Sequence, residues 1–433
     1  MLGAFVNAFR TPELRRKLLF VLGVVVLFRL GSTLPAPGIN VANVQTCLNQ
    51  AQSDQNSVVS LVNVFSGGAL LQLTVFALGI MPYITASIIL QLLTVVIPRL
   101  ETLKKEGQAG QQKVTQYTRY LTLGLALLQA TGIVALARSG RLFGGSCSLP
   151  LLYEPDSIFS YLLIVITMMA GTAIIMWFGE LITDRGIGNG MSILIFTQVV
   201  ATFPSAMYLI LQQNGVFTFV LVIVVGLAVV AGVIFMEQAQ RRVPVQYARR
   251  MVGRRMFGGS STYIPIKVNQ AGVIPVIFAS SLLYLPALAS QFNPTSPWSA
   301  WVAEHLTRGE HPLYMLTYFA MIMFFTYFYV AITFNPEEVA DNMKKYGGFI
   351  PGIRAGRPTE EYLAYVLSRI TFPGATYLGL ISLIPLIALV LLNADQNFPF
   401  GGTTILIIVG VGLDTVKQIE SQLQQRNYEG FLR

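Results

Sequence analysis

The sequence predicts an all-α polytopic membrane protein with ten membrane-spanning helices, and three observations carry that prediction. Apolar residues fill 54% of the 433 positions and charged residues only 11%, a balance outside the range of soluble domains. The apolar residues gather into ten runs, each near the roughly 20 residues that cross a bilayer. Of the 29 Lys and Arg residues, 25 fall on one side of the topology these runs define, 3 on the other, and Arg29 within the first run. So steep an asymmetry places both termini in the cytoplasm.

The first run, 17–34, is followed by a long polar loop instead of a small-residue cleavage site, and is read as a retained anchor. The exoplasmic segment that starts at Pro35 ends in an apolar piece, about 58–73, that is too short to span. It carries Ser66, Gly67 and Gly68 in its middle and reads as a short broken helix. Irregular backbone at membrane depth must sit within protein or line a wet cavity, because lipid offers no hydrogen bonds. Beside the second run, 74–97, such a helix points to a lumen. Further spans are expected at 117–137, 157–178, 187–210, 216–236, 268–289, 312–334, 370–392 and 401–419. Five spans in one half let a second half enter the membrane with opposite orientation. Residues 1–210 and 211–433 are therefore expected as two halves, divided near LQQNG.

The cytoplasmic loops hold the charge. Loop 237–267 contains Arg241, Arg242, Arg249, Arg250, Arg254, Arg255 and Lys267 against one acid, within alternating stretches that read as a β-hairpin. Loop 335–369 is rich in turn residues around GGFIPGIRAGRP and presents Arg354 near a tip. The two cysteines, Cys47 and Cys147, both fall in exoplasmic loops, where the sequence allows either a disulfide between them or two unpaired thiols.

Several chemistries are set aside by what the chain lacks. Its two histidines, His305 and His311, share one exoplasmic loop, and no HExxH pair or other metal-ligand pattern is present. There is no GxxxxGK[ST] loop for a nucleotide, so no cofactor is expected and energy from ATP must come from a partner. Arg29 and Asp414 are the clear ionisable groups inside spans, with Glu180 and Glu420 near cytoplasmic ends. Intramembrane charges are functional candidates by default, while snorkelling or pairing with another helix is the structural alternative. A secondary transporter of a small solute would need a polar midplane site, whereas this midplane is aliphatic. An intramembrane protease would need a catalytic pair or metal ligands within the spans, which Asp414 alone does not supply.

The run FSGGALLQLTVFALGIMPYITASIILQLLTVV at 65–96 is followed in order by KEGQAGQQKVTQYTRY, GELITDRGIGNGMSILIF, QRRVPVQYARR, IPIKVNQAGVIPVIFASS, FNPEEVADNMKKYGGFIPGIRAG and FGGT. Across essentially the whole chain these blocks resemble the SecY/Sec61-alpha family, the channel-forming subunits of the Sec protein translocon. The resemblance implies two pseudo-symmetric five-helix halves around a central pore. Unfolded preproteins would cross through it, and signal peptides and transmembrane segments would leave sideways into membrane lipid.

Matched motif by motif, the resemblance assigns the pore ring to Ile80, Ile84, Met191, Ile195, Ile277 and Ile407. Met191 stands where the family usually has an aliphatic residue, and its flexible thioether can still seal. Ile80 and Ile84 are four apart, as are Met191 and Ile195, so each pair shares a helix face. The plug corresponds to Phe65, Ser66, Gly67, Gly68, Ala69 and Leu70, and the lateral gate to a polar cluster of Gln91, Gln129 and Asn269. Contacts with the SecA motor ATPase or the ribosome and its rRNA fall to Arg241, Arg242, Arg254, Arg255 and Arg354. Ala355 replaces the proline expected in GIRPG and loosens the turn after Arg354. SecE and SecG are implied partners, the bacterial plasma membrane is the implied location, and the chain itself is expected not to be an enzyme.

Overall fold

The computed structural model describes residues 11–51, 68–139, 142, 149–154, 157–247, 250–252, 255–257, 261–292, 296–306, 311–392 and 402–430. Its helices are α1 (Pro12–Thr33), α2 (Val41–Ala51), α3 (Met81–Val96), α4 (Pro98–Lys105), α5 (Gln108–Arg138), α6 (Ile158–Arg185), α7 (Gly190–Gln238), α8 (Ile274–Phe292), α9 (Pro297–His305), α10 (Pro312–Thr333), α11 (Pro336–Lys345), α12 (Arg357–Leu392) and α13 (Gly402–Gly430). Among the described residues, five stretches are long and apolar enough by themselves to cross a membrane: Gln108–Arg138, Ile158–Arg185, Gly215–Gln238, Pro312–Lys345 and Arg357–Ile384. Shorter apolar helices cover Met81–Val96, Gly190–Pro204 and Ile274–Leu283. The chain is an all-α polytopic membrane protein with a small sheet.

The expected break near 211–215 lies inside α7, where Gly215 adopts φ 77° and ψ 174°. A side chain would strain that backbone, so a glycine here turns one helix into two arms. The second span differs from its expected extent. The sequence places its start at Thr74, but Thr74 bridges to Pro35, 75–80 are turns and α3 begins at Met81. Leu73 (φ 51°) and Gly79 (φ 57°) take left-handed backbone that no helix accommodates. The freed amides are satisfied internally: Val75 N donates to the Leu34 carbonyl, Ala36 N to that of Leu73, and Gly79 N to that of Phe76. Elsewhere helices begin earlier than the apolar runs, because α5 and α12 continue several turns into polar sequence at 108–116 and 357–369.

Packing divides along the membrane normal. One apolar cluster holds the bundle centre, joining Phe28 of α1, Ile88 of α3, Ile175 of α6, Leu194 of α7, Val276 of α8, Ile322 of α10, Leu378 of α12 and Leu406 of α13. A second cluster gathers Ile39, Cys47, Leu70 and Leu73 against Ala130 and Ile133 of α5 and Met168 of α6. The seam between α8 and the pair α3 and α5 is closed by direct contact.

Strands β1 (Gln240–Tyr247) and β4 (Ser261–Lys267) form the expected hairpin, with Arg242 opposite Pro265 and Val245 opposite Thr262. Between them β2 (Arg250–Val252) and β3 (Arg255–Phe257) pair at the far end. A strand not foreseen, β5 (Gly348–Phe349), pairs with β1 through Gln246 and Tyr247. The two basic loops are thereby one sheet in the order β4-β1-β5. Its inner face shares a core with α10, α11 and α12 through Val243, Val245, Ile266, Val330, Met343 and Leu363.

Close approach of the turn segment to α6 depends on Gly171, where an added Cβ would lie 2.0 Å from the Val75 carbonyl oxygen. Gly171→Ala should force 74–80 away from α6 at a cost of about 1–3 kcal/mol. Thermal unfolding in detergent should then show a midpoint lowered by several degrees, and an unchanged midpoint would contradict the packing.

Candidate functional site

A cavity of about 1130 Å³ opens between the helices at the end of the bundle that carries the basic sheet. Its depth follows from the helices that line it. Near the mouth are Gln111, Gln112, Thr115, Asp184, Lys267 and Gln270, all at helix ends or in the adjoining loops. Its floor is Ile84 of α3, Met191 and Ile195 of α7, Ile277 of α8 and Ile407 of α13.

Five of the six residues assigned to the ring therefore line one funnel. Ile80, the sixth, stands in the turn just before α3, one turn deeper than Ile84 and 1% exposed. All six belong to the central apolar cluster, four as buried members and Ile84 and Met191 partly buried against it. Gly179 makes room for the thioether, since a Cβ there would lie 2.4 Å from the Met191 sulfur.

Charge is confined to the walls above the floor. Arg119 of α5 donates from Nε to Glu180 Oε1 and from Nη2 to Oε2, both at 2.8 Å, and from Nη1 to Gln116 Oε1 at 3.2 Å. This fork-to-fork pair ties α5 to α6 with fixed geometry. Opposite, Lys267 at the end of β4 lies 3.7 Å from Asp414 of α13. Glu237, buried at the end of α7, accepts from Asn269 Nδ2 at 2.5 Å, and the same amide donates to the Gly272 carbonyl at 3.3 Å. Asp414, read from sequence as an isolated intramembrane charge, thus has a cationic partner at the funnel mouth.

The residues assigned to the lateral gate are partly brought together. Gln91 and Asn269 line the funnel, whereas Gln129 does not. Asn269 directs its amide hydrogens to Glu237 and Gly272, not to either glutamine. The partner it takes sits in a stretch of sequence that reads as the polar end of a span.

Of the plug residues, Phe65, Ser66 and Gly67 lie outside the described residues. Gly68 takes φ 87°, and Ala69 and Leu70 are buried in the second cluster. Among the docking arginines, Arg241 and Arg242 are exposed on β1, the Arg242 guanidinium 4.9 Å from the centre of the Tyr263 ring. Arg354 is exposed in the turn between Gly352 (φ 84°) and Gly356 (φ 104°). Arg255 has its backbone in β3, and Arg254 lies outside the described residues. Cys47 is fully buried on α2 and disulfide-bonded, while Cys147 lies outside the described residues.

Fold and site define a polytopic helical membrane protein with a charged-walled funnel closed by an apolar floor. The SecY family model matches residues 74–416, and the chain belongs to the SecY family. Protein translocase subunit SecY of Streptomyces galbus is 68% identical over 100% of both chains. The subunit of that name from Mycobacterium tuberculosis strain H37Rv is 59% identical, again over 100% of both. Among solved structures, a protein-conducting channel superposes with a TM-score of 0.63 at 18% identity, covering 93% of this chain and 91% of that one. Sec61 of the canine ribosome–channel complex from the endoplasmic reticulum gives 0.60 at 17%, with the same coverage.

The Arg119–Glu180 bond yields a direct test. Arg119→Met should leave a partly buried carboxylate without its partner and lower the unfolding midpoint in detergent. Adding Glu180→Met should recover part of that loss, with a coupling of about 1 kcal/mol for a pair this exposed. Strictly additive effects would show that the two side chains do not interact.

Proposed function

We propose that this chain is the central protein-conducting channel of a Sec translocon. It passes unfolded secretory proteins across the bacterial plasma membrane and releases transmembrane segments sideways into lipid. The observation that carries this reading is the apolar floor: aliphatic and thioether side chains from α3, α7, α8 and α13 meet beneath a polar funnel. A narrow apolar constriction dewets and blocks ions, yet makes no directional bonds to a passing backbone. It seals without gripping. The channel has no catalytic site of its own.

In this reading 1–210 and 211–433 are the two halves, both termini are cytoplasmic, and Ile80, Ile84, Met191, Ile195, Ile277 and Ile407 form the ring. Phe65, Ser66, Gly67, Gly68, Ala69 and Leu70 belong to a plug on the far side of it. Lateral release occurs where α8 and α10 face α3 and α5, with Gln91, Gln129 and Asn269 as its polar contacts. Such contacts contribute only about 1 kcal/mol each in a membrane, so an apolar signal peptide entering the seam can replace them.

Arg241, Arg242, Arg254, Arg255 and Arg354 dock the SecA ATPase or the ribosome, since arginine forks suit acidic side chains and rRNA phosphates alike. The joining of both basic loops into one sheet supports a single docking platform. SecE and SecG complete the channel. The bond made by Cys47 joins it to Cys147, the one other cysteine in the sequence, and fastens α2 to the exoplasmic loop after α5.

Proteoliposomes containing this chain, a SecE partner and added SecA should protect a secretory preprotein from external protease when ATP is supplied. Protection that persists without the chain would overturn the reading. Replacing Ile84 and Ile277 with Gly should make the resting channel leak ions, and unchanged conductance would count against the ring. Arg241→Glu, Arg242→Glu and Arg354→Glu together should weaken SecA or ribosome binding at least tenfold at low salt and less at high salt. Unaltered affinity would restrict these side chains to orienting the helices.

A further inference from the structure

Two polar side chains lie just beyond the ring, on the side away from the funnel, and neither finds a hydrogen-bond partner. Gln198 of α7 is 1% exposed, with both its amide oxygen and its amide nitrogen unpaired. Ser281 of α8 is 5% exposed, with its hydroxyl unpaired. Their places follow from helix geometry. Gln198 is three residues past Ile195 and seven past Met191, and Ser281 is four past Ile277, so each shares the face that carries the ring. The offsets put them about 4–6 Å deeper than the ring along their helices. Thr404 of α13, three residues before Ile407, stands partly buried at similar depth.

Buried polar groups are nearly always paired, and an unpaired amide among apolar neighbours destabilises a static core. Leucine would suit that core better than Gln198. What the position gains is a donor and an acceptor about one turn beyond the ring, on the helix face that carries it. An extended polypeptide carries one N–H and one C=O per residue, whatever its sequence, and the ring offers bonds to neither.

We infer that Gln198 and Ser281 form a backbone-binding station for the translocating chain, the first hydrogen bonds it makes after the apolar constriction. The station rests on the channel reading above. A carboxamide serves it because the amide nitrogen takes a peptide carbonyl while the amide oxygen takes a peptide N–H, in any register. The hydroxyl of Ser281 does the same with one group. No protein group engages either of them, so an incoming backbone competes with no internal hydrogen bond.

The experiment compares the unaltered chain with Gln198→Leu, Ser281→Ala and the double variant in the proteoliposome protection assay. The double variant should translocate about three- to tenfold more slowly, the loss of one or two net hydrogen bonds per step, with resting ion conductance and SecA affinity unchanged. Leucine is apolar and close in size, so its unfolding midpoint should stay level or rise. A second arm traps a stalled preprotein bearing single cysteines against Gln198→Cys and, as reference, Ile195→Cys. Disulfides should form at both, with the register for 198 displaced by one to two residues. Unaltered translocation rates in the double variant, or a stalled chain that bonds at 195 but never at 198, would overturn the inference. Absence of translocation by the unaltered chain would overturn the channel reading instead.

Discussion

Lipid provides no hydrogen bonds, and the arrangement of this bundle follows from how its backbone meets that constraint. Helices meet it automatically, each N–H finding a carbonyl in its own segment. The segment 68–80 cannot, because left-handed residues at 68, 73 and 79 prevent a helix. It is instead sheltered between α1, α5 and α6, with Leu73, Thr74 and Ala77 almost wholly buried and their neighbours bonded to Leu34 and Ala36. The close contacts this needs are made by glycine at 171 on α6 and by Phe76 stacked 5.8 Å from Phe28. A folded-back segment held in this way delays the start of α3 until Met81, which leaves Ile80 and Ile84 packed in the central apolar cluster with Ile195 of α7 and Ile277 of α8.

The funnel shows the complementary use of polarity. Its ionic groups sit on the upper walls, where water can enter and where each pair costs little to hold. The floor carries none. Moving a single charge down to Ile195 or Ile277 would place it in a narrow apolar space, with several kcal/mol of desolvation to overcome. The charged upper wall is thus separated from an apolar floor only one or two side-chain layers thick.

Much of this was legible in the sequence, because the signals that define spans are local. Apolar runs are properties of consecutive residues, and Gly215, in the stretch LQQNG, is where the helix backbone breaks. The hairpin was legible through the alternation of VPVQY and TYIPIK. What escaped depends on partners far apart in the chain. The glutamine-rich start of α5 gives no apolar signal, yet it is helical because it packs on α4 and lines the funnel. Arg119 and Glu180 are 61 positions apart, and neither alone announces a bidentate bond. The resemblance groups Asn269 with Gln91 and Gln129, whereas the structure ties it to Glu237, the one acid of loop 237–267. Gln198 gave no warning at all, since an uncharged side chain in an apolar run reads as ordinary packing.

The same geometry decides how a displacement of the basic sheet reaches the apolar floor. β4 ends at Lys267 and α8 begins at Ile274, a connector that spans about 20 Å when fully extended. It is far from free to extend. Val268 N donates to the Ala239 carbonyl, Asn269 is bound to Glu237 and Gly272, Lys267 faces Asp414, and Gly374 of α12 lies so near that a Cβ would come 2.3 Å from the Val268 carbonyl oxygen. A displacement of the sheet by a few ångströms must therefore break these contacts or carry the start of α8 with it. Each contact is individually weak beside the packing of a whole helix, but all of them stretch together, so the connector behaves as a short stiff link. Because Ile277 lies within the first turn of α8 and Asp414 is two turns from Ile407 on the same face of α13, that link ends at two of the residues that close the floor. The basic sheet at one end of the molecule and the apolar floor at its centre are thus mechanically joined by six residues that are neither strand nor helix.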